Sequence, residues 1–319
     1  MPSFLAKHLQ EGNPYMTTSP VKAPVKSNTG VTGNAPQKAV RPPPFRLTTI
    51  ARRERYLKAL IYGNYGVGKT TLAASANEVP SMQHVLVINA ESGDLSVDNH
   101  ENLDAITVQD FKTLGQINEF LKQHCVARDA GDVDRLRALE ARVRGCEEDE
   151  IKEPRRYKTV IIDSLSELEA YCFNQLLGIT DSTRLDEETQ SADWAEYKKN
   201  NTMILRVVRA FRDLPMHVIM TAGENYNQDE TKKYKYSPDL TGKLAKKVQG
   251  FFDMVGYYVQ AKSAEGSVAR RLYVMPSGSG RYDAKHRYQA FKGEFFTNPT
   301  IGSILQEVGL LNKDGSALK

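Results

Sequence analysis

The chain has 319 residues, 40% of them hydrophobic and 26% charged, with a formal net charge of +4. That is material for one large α/β domain or two small ones, and the charge is too mild to imply a nucleic-acid partner by itself. No apolar run approaches the ~20 residues that span a bilayer. The opening MPSFLAKHLQEGNPY lacks the basic start and apolar core of a secretory signal. Cys125, Cys146 and Cys172 are odd in number and widely spaced, which predicts reduced thiols in a cytoplasmic protein. The six histidines show no paired ligand spacing and are assigned to no metal.

In chain order, residues 1–47 come first. Eight of the fourteen prolines fall within 1–46, with six Lys/Arg against the single acid Glu11. This composition predicts a disordered basic tail. It reads either as a solvated leader or as an arm for nucleic acid or a partner protein. From Tyr56 short apolar runs alternate with helical patterns, the signature of a largely parallel, helix-covered sheet. The runs are YLKALIYG, HVLVINA, DAITV, TVIID and MHVIMTA, and the helical stretches are LAASANEV, FKTLGQINEFLKQH, LSELEAYCFNQLL and NNTMILRVVRAFRDL. The last carries the stripe Met203, Ile204, Val207, Val208, Phe211, with Arg206, Arg209 and Arg212 on a solvated face. Residues 126–156, with eight basic and nine acidic residues and a thin stripe of Val133, Leu136, Leu139 and Val143, read as a solvated helical excursion or a partner surface. FDMVGYYVQAK and VARRLYVMPS, joined by SAEGS, read as an antiparallel hairpin. A core domain over 48–298 with a C-terminal helix and tail over 299–319 completes the expected organisation.

Gly63-Asn64-Tyr65-Gly66-Val67-Gly68-Lys69-Thr70 fits G-x-x-x-x-G-K-[ST], followed by Thr71. An apolar strand precedes it and a helix follows, as a phosphate-binding loop requires. The glycines let backbone N–H groups close on anionic oxygens, Lys69 reaches the β- and γ-phosphates, and the Thr70 hydroxyl binds Mg²⁺. The strand TVIID delivers Asp163 to the sheet's C-terminal edge as the second Mg²⁺ ligand. The alternative for Asp163 is the N-cap of the next helix. VLVINAESG places Glu91 at a third strand end, as a base that polarises the attacking water or as a turn residue.

These elements, in this order, resemble the ATPase core of RecA-type recombinases and hexameric replicative helicases. The resemblance implies a RecA-like P-loop fold over about residues 55–298, a mostly parallel central sheet flanked by helices, and ATP with Mg²⁺ as cofactors. It implies that Glu91 activates water and that Thr221, where those proteins carry Asn or Gln, senses the γ-phosphate. It implies that Lys285 and Arg287 act across a subunit boundary in a homo-oligomeric filament or ring. Within the superfamily the chain looks most like small phage-encoded ATPases of recombination and single-strand annealing.

The segment 224–247 follows the sensor strand. From Thr231 it holds Lys232, Lys233, Lys235, Lys243, Lys246 and Lys247 against Asp239, with Tyr234 and Tyr236 interleaved. Lysines neutralise backbone phosphates and tyrosines stack on unpaired bases. The segment reads as a loop for single-stranded DNA or as a mobile soluble loop. The expected function is ATP hydrolysis coupled to single-stranded DNA in recombination, annealing or replication. The rivals are a helicase motor or loader, and a nucleotide-gated adaptor that recruits single-strand binding protein.

Overall fold

The computed structural model describes residues 55–91 and 102–312, apart from 181, 185, 187, 189–190, 229–231 and 263–265. The tail expected over 1–47 lies outside the described residues, as do Ser92, Gly93 and the last seven positions. The strands are β1 (Lys58–Tyr62), β2 (Val85–Asn89), β3 (Leu103–Thr107), β4 (Thr159–Asp163), β5 (His217–Ala222), β6 (Glu224–Gln228), β7 (Tyr234–Pro238), β8 (Met254–Lys262), β9 (Val268–Tyr273), β10 (Lys285–His286) and β11 (Phe295–Thr297). The helices are α1 (Lys69–Ala74), α2 (Thr113–Ala130), α3 (Val133–Arg144), α4 (Leu165–Leu176), α5 (Trp194–Arg212), α6 (Leu244–Gln249) and α7 (Ile301–Glu307).

The main sheet runs β3-β2-β4-β5-β1-β8-β9-β11, with β10 beside the start of β8. From β3 to β8 every pairing is parallel, while β9, β10 and β11 add antiparallel pairs. This is the fold class expected from the sequence: a mostly parallel, helix-flanked sheet with an antiparallel C-terminal hairpin. Alternation divides each strand between two cores. Leu60 and Tyr62 of β1 face a core shared with α2, α4, α5 and α6, whereas Ala59 and Ile61 face one shared with α1 and α7. Strands buried on both faces read as continuous apolar runs, which is why these runs stand out in the sequence.

Register sets the site. Tyr62 pairs with Ala222 and Asn89 with Asp163, so β1, β5, β2 and β4 end together at one edge. Connections leaving that edge form the crevice where ligands bind in open parallel sheets.

Two segments differ from their sequence reading. α5 begins at Trp194 rather than near Asn200, because Asp193 caps it: its carboxylate accepts from Ala195 and Glu196 N–H, and the Glu196 side chain reaches back. The arginines of α5 are not simply solvated, since Arg209 and Arg212 lie over the Phe251 ring at 4.8 and 5.2 Å. In the charged segment, α3 buries Leu136 and Leu139 in the main core. Its charges are paired over the sheet edge: Arg144 bridges Glu140 and Asp104 at 2.7 and 2.8 Å, and Tyr157 donates to Asp104 at 2.9 Å.

The opposite ends of β1 and β5 are pinned by a buried histidine. His217 Nδ1 accepts from the Leu57 N–H at 2.9 Å, and the Lys58 ammonium beside it donates to the Leu214 and Met216 carbonyls at 2.8 and 2.6 Å. Burial, helped by Lys58, pushes the imidazole pKa from the ordinary 6.5 down to about 3. Between these values the unfolded chain binds a proton that the native state refuses. Stability therefore falls as pH drops through 6.5, by at most about 1.4 kcal/mol per unit from this group. Urea midpoints measured from pH 7 to pH 5 are expected to fall more steeply for the wild type than for His217→Asn. Parallel slopes would refute this account.

Candidate active site

The loop Gly63–Gly68 joins β1 to α1 under two backbone constraints. A Cβ on Gly63 would sit 2.1 Å from the Tyr258 carbonyl oxygen of β8, so any side chain there is excluded. Gly68, with φ of 98°, adopts a left-handed conformation that favours glycine. Between them Asn64 Oδ1 accepts from the Tyr65 N–H at 2.7 Å, Val67 is buried, and the Tyr65 ring is exposed. Thr71 follows Thr70 in the first turn of α1 and is exposed.

Lys69 is buried, and its ammonium donates to the Gly63 and Asn64 carbonyls, both at 3.0 Å. Its Nζ also stands 5.7 Å from the Tyr65 ring centroid. Burial lowers its pKa, and the carboxylates of Glu91, Asp163 and Glu224 oppose that shift. The charges of three acids near the strand ends thus act on this one lysine.

Asp163 ties the neighbouring elements together. Its Oδ2 accepts from Thr70 Oγ1 at 2.6 Å, and its Oδ1 accepts from the Thr221 hydroxyl. Its carbonyl accepts from Ala90 and Glu91 N–H at 2.7 and 3.3 Å. The next helix is capped by Ser164, whose Oγ accepts from the Glu167 N–H, so Asp163 is not its N-cap. Thr70, Asp163 and Thr221, selected separately in the sequence, are in direct contact. Glu91 is exposed one residue beyond Ala90. Among the described residues no group of three or more His, Cys, Asp or Glu could hold a metal ion. The Thr70–Asp163 oxygen pair instead suits a hard cation that completes its shell on a phosphate.

Lys285 and Arg287 lie elsewhere. β10 pairs with the start of β8, Lys285 opposite Val255, and the Asp253 N–H donates to the Lys58 carbonyl at the N-terminal end of β1. The length of β1, roughly 13 Å, separates that end from the loop. Arg287 is engaged there, with Asp253 at 3.1 Å and the Gly250 carbonyl at 2.9 Å. The structure does not bring this pair to its own chain's phosphate loop.

The segment 224–247 is an antiparallel hairpin, β6–β7, followed by α6, rather than a loop. Lys232, Lys233 and Tyr234 are exposed. Lys235 pairs with Asp283 at 2.9 Å. The Tyr236 ring is stacked inward on Tyr257 at 5.4 Å. Lys243 precedes α6, and Lys246 and Lys247 are exposed on it while Leu244, Ala245 and Val248 are buried.

Residues 55–288 match the family described as AAA domain. The chain belongs to that family. It is an ATPase domain, and the matched span includes the phosphate loop and Asp163. No curated protein matches the chain in sequence. Distant structural likenesses include the RadB recombinase, at 15% identity and a TM-score of 0.37 over 76% of this chain and 87% of that chain. A KaiC-like protein, PH0186 from Pyrococcus horikoshii OT3, is 15% identical, with a TM-score of 0.33 over 76% of this chain and 89% of that chain. The flagellar accessory protein FlaH from Methanocaldococcus jannaschii is 11% identical, with a TM-score of 0.35 over 76% and 85% of the two chains.

Sequence reasoning missed three residues of this AAA domain. Glu224, just past β5, hydrogen-bonds Tyr257, and its buried Oε2 has no partner among the described residues. It lines a cavity of about 320 Å³ with Asn64, Tyr65 and Gly66 of the loop. Its signal was legible: an acid two residues after an apolar strand that ends beside the loop strand. Tyr226, exposed and paired edge-on with Tyr234 at 5.5 Å, stood in the hairpin segment outside its lysine-rich part. Arg270 of β9 packs against Gly68 and left no local signal. The loop assignment has a direct test. Lys69→Ala is expected to abolish ATP turnover measured as phosphate release, and wild-type turnover in that variant would overturn it.

Proposed function

We propose that this chain is a RecA-like, Mg²⁺-dependent ATPase that acts on single-stranded DNA in recombination or annealing, with phage-encoded proteins as its nearest functional type. One observation carries the reading. The hairpin β6–β7 rises directly from β5, the strand whose Thr221 holds the Asp163 carboxylate, and presents exposed Tyr226 and Tyr234 beside Lys232 and Lys233. Aromatic faces with adjoining cations suit unpaired bases and their phosphates.

In this reading the loop amides and Lys69 clamp the triphosphate. Thr70 and Asp163 hold Mg²⁺, which when bound offsets charge on the β- and γ-oxygens. Glu91, exposed at the end of β2, orients the attacking water and takes its proton. Thr221 reports the state of the Asp163 carboxylate to β5 and so to the hairpin. Lys285 and Arg287 face a neighbouring protomer's site in a filament or ring, which requires Arg287 to leave Asp253. The basic segment 1–47 serves as an arm for partners such as single-strand binding protein.

The hairpin assignment is tested by fluorescence anisotropy with a labelled single-stranded oligonucleotide. Replacing both Tyr226 and Tyr234 by Ala is expected to weaken binding about tenfold or more, since each stacked base contributes ~1–3 kcal/mol. ATP turnover without DNA should stay near wild type. Unchanged affinity in the double variant would remove the hairpin from the DNA site. The water-activating assignment has its own test: Glu91→Gln should bind ATP normally while kcat falls about 10²- to 10⁴-fold, and a normal kcat would reject it.

A further inference from the structure

β9 leans over the phosphate loop. A Cβ built on Gly68 would have as its three nearest neighbours Arg270 Cζ and Nε, both at 3.4 Å, and Arg270 Nη2 at 3.7 Å. The guanidinium therefore occupies the bare face of the glycine that immediately precedes Lys69. Glycine stands at that place in a phosphate loop so that the phosphate chain can approach the backbone without meeting a side chain. A cation on this face stands where the phosphate chain approaches.

The position of Arg270 is built rather than incidental. Its backbone is held from both sides by one residue: its N–H donates to Asn298 Oδ1 at 2.8 Å, and its carbonyl accepts from the Asn298 N–H at 2.7 Å. β9 is registered on β8, with Arg270 opposite Gln260, and the β8 backbone in turn presses on Gly63 at the other end of the loop. Arg271, the next residue, belongs to the other face, where its guanidinium rests on the Phe295 ring at 4.9 Å. The Arg270 guanidinium is exposed and forms no hydrogen bond or ion pair among the described residues.

We propose that Arg270 is a nucleotide-binding residue acting in cis, its guanidinium engaging the phosphates of a nucleoside di- or triphosphate held by the loop of the same chain. The proposal rests on the nucleotide reading of that loop. The chemistry suits the place. A planar guanidinium binds two phosphate oxygens at once, which a lysine cannot do. Lys69 already shares its charge with the carboxylates of Glu91, Asp163 and Glu224, so a polyanion entering this edge needs a further positive group. Lys285 and Arg287 lie at the other end of β1 and β8 and do not supply it within one chain.

The test is calorimetric titration of the full-length chain with MgATP, MgADP and adenosine. The variants are Arg270→Ala and Arg270→Lys, with Lys69→Ala and Arg271→Ala as references and circular dichroism to confirm folding. Loss of a charge-assisted pair predicts about tenfold or greater weakening of both nucleotides in Arg270→Ala. Partial recovery is expected in Arg270→Lys, wild-type affinity in Arg271→Ala, and no change for adenosine in any of these three variants. Wild-type affinity in Arg270→Ala, with Lys69→Ala impaired, would overturn the proposal while sparing the loop. Equal weakening in Arg271→Ala, or an equal loss for adenosine, would overturn it as well. If the wild-type chain binds neither nucleotide, the loop reading falls and this proposal falls with it.

Discussion

A buried carboxylate with two hydroxyl donors organises the loop-bearing edge of the sheet. Asp163 is almost fully covered, and an ion taken out of water is tolerated only where its oxygens are hydrogen-bonded. Thr70 and Thr221 meet that demand, one on each oxygen. They belong to the helix after the phosphate loop and to the strand beside β1. The same residue's carbonyl receives Ala90 and Glu91, which ends β2 against β4. Satisfying one ion thus draws β2, β4, β5 and α1 to a common boundary. Position along the sheet, more than any local preference, is what places Glu91 near Lys69.

The charges at that boundary constrain what it can bind. Three carboxylates face one lysine, and burial already works against the charge of that lysine. A triphosphate brought there adds several negative charges in a partly desolvated setting, where like charges repel more strongly than in water. Binding therefore needs positive charge from outside the Lys69 cluster. The β8–β9 hairpin brings a guanidinium to the loop, and in the proposed function the Thr70–Asp163 oxygen pair would hold a divalent cation beside it.

What was legible in the sequence follows from how each feature is encoded. β1, β2, β4 and β5 are buried on both faces, so their apolar runs are nearly continuous and their ends mark Gly63, Glu91, Asp163 and Thr221. The phosphate loop is encoded within nine residues. The hairpin at 224–238 reads as a loop in the sequence because tyrosine, lysine and asparagine on an open two-stranded ribbon leave no apolar period. Arg270 and Gly68 are some two hundred positions apart in the chain and meet only through the pairing of β8 with β1 and of β9 with β8. Leu136 and Leu139 look solvated among their charged neighbours because the core that buries them is contributed by distant elements. Long-range register is the information that residue patterns do not carry.

The root of the hairpin is continuous with the loop strand. Tyr62, the last residue of β1 and the one before Gly63, stacks on Tyr257 at 5.1 Å, and Tyr257 stacks on Tyr236 of β7 at 5.4 Å. The Tyr62 hydroxyl donates to the Asp283 carbonyl at 2.6 Å and accepts from the Asp283 N–H at 3.0 Å, fixing the ring from its far end. Rings packed in this way transmit displacement because the interior has little free volume to absorb it. Tyr226 and Tyr234 are exposed, and Tyr226, opposite Tyr236 in the ladder, links the Tyr234 ring at 5.5 Å to the Tyr236 ring at 6.1 Å. The junction of β1 with the phosphate loop is thus packed directly against the base of the surface that carries the exposed rings. Thr221 reaches the same base from the other side, through β5. The hairpin base is therefore contacted from two elements of the same sheet edge, β1 through Tyr62 and β5 through the chain that leads into β6.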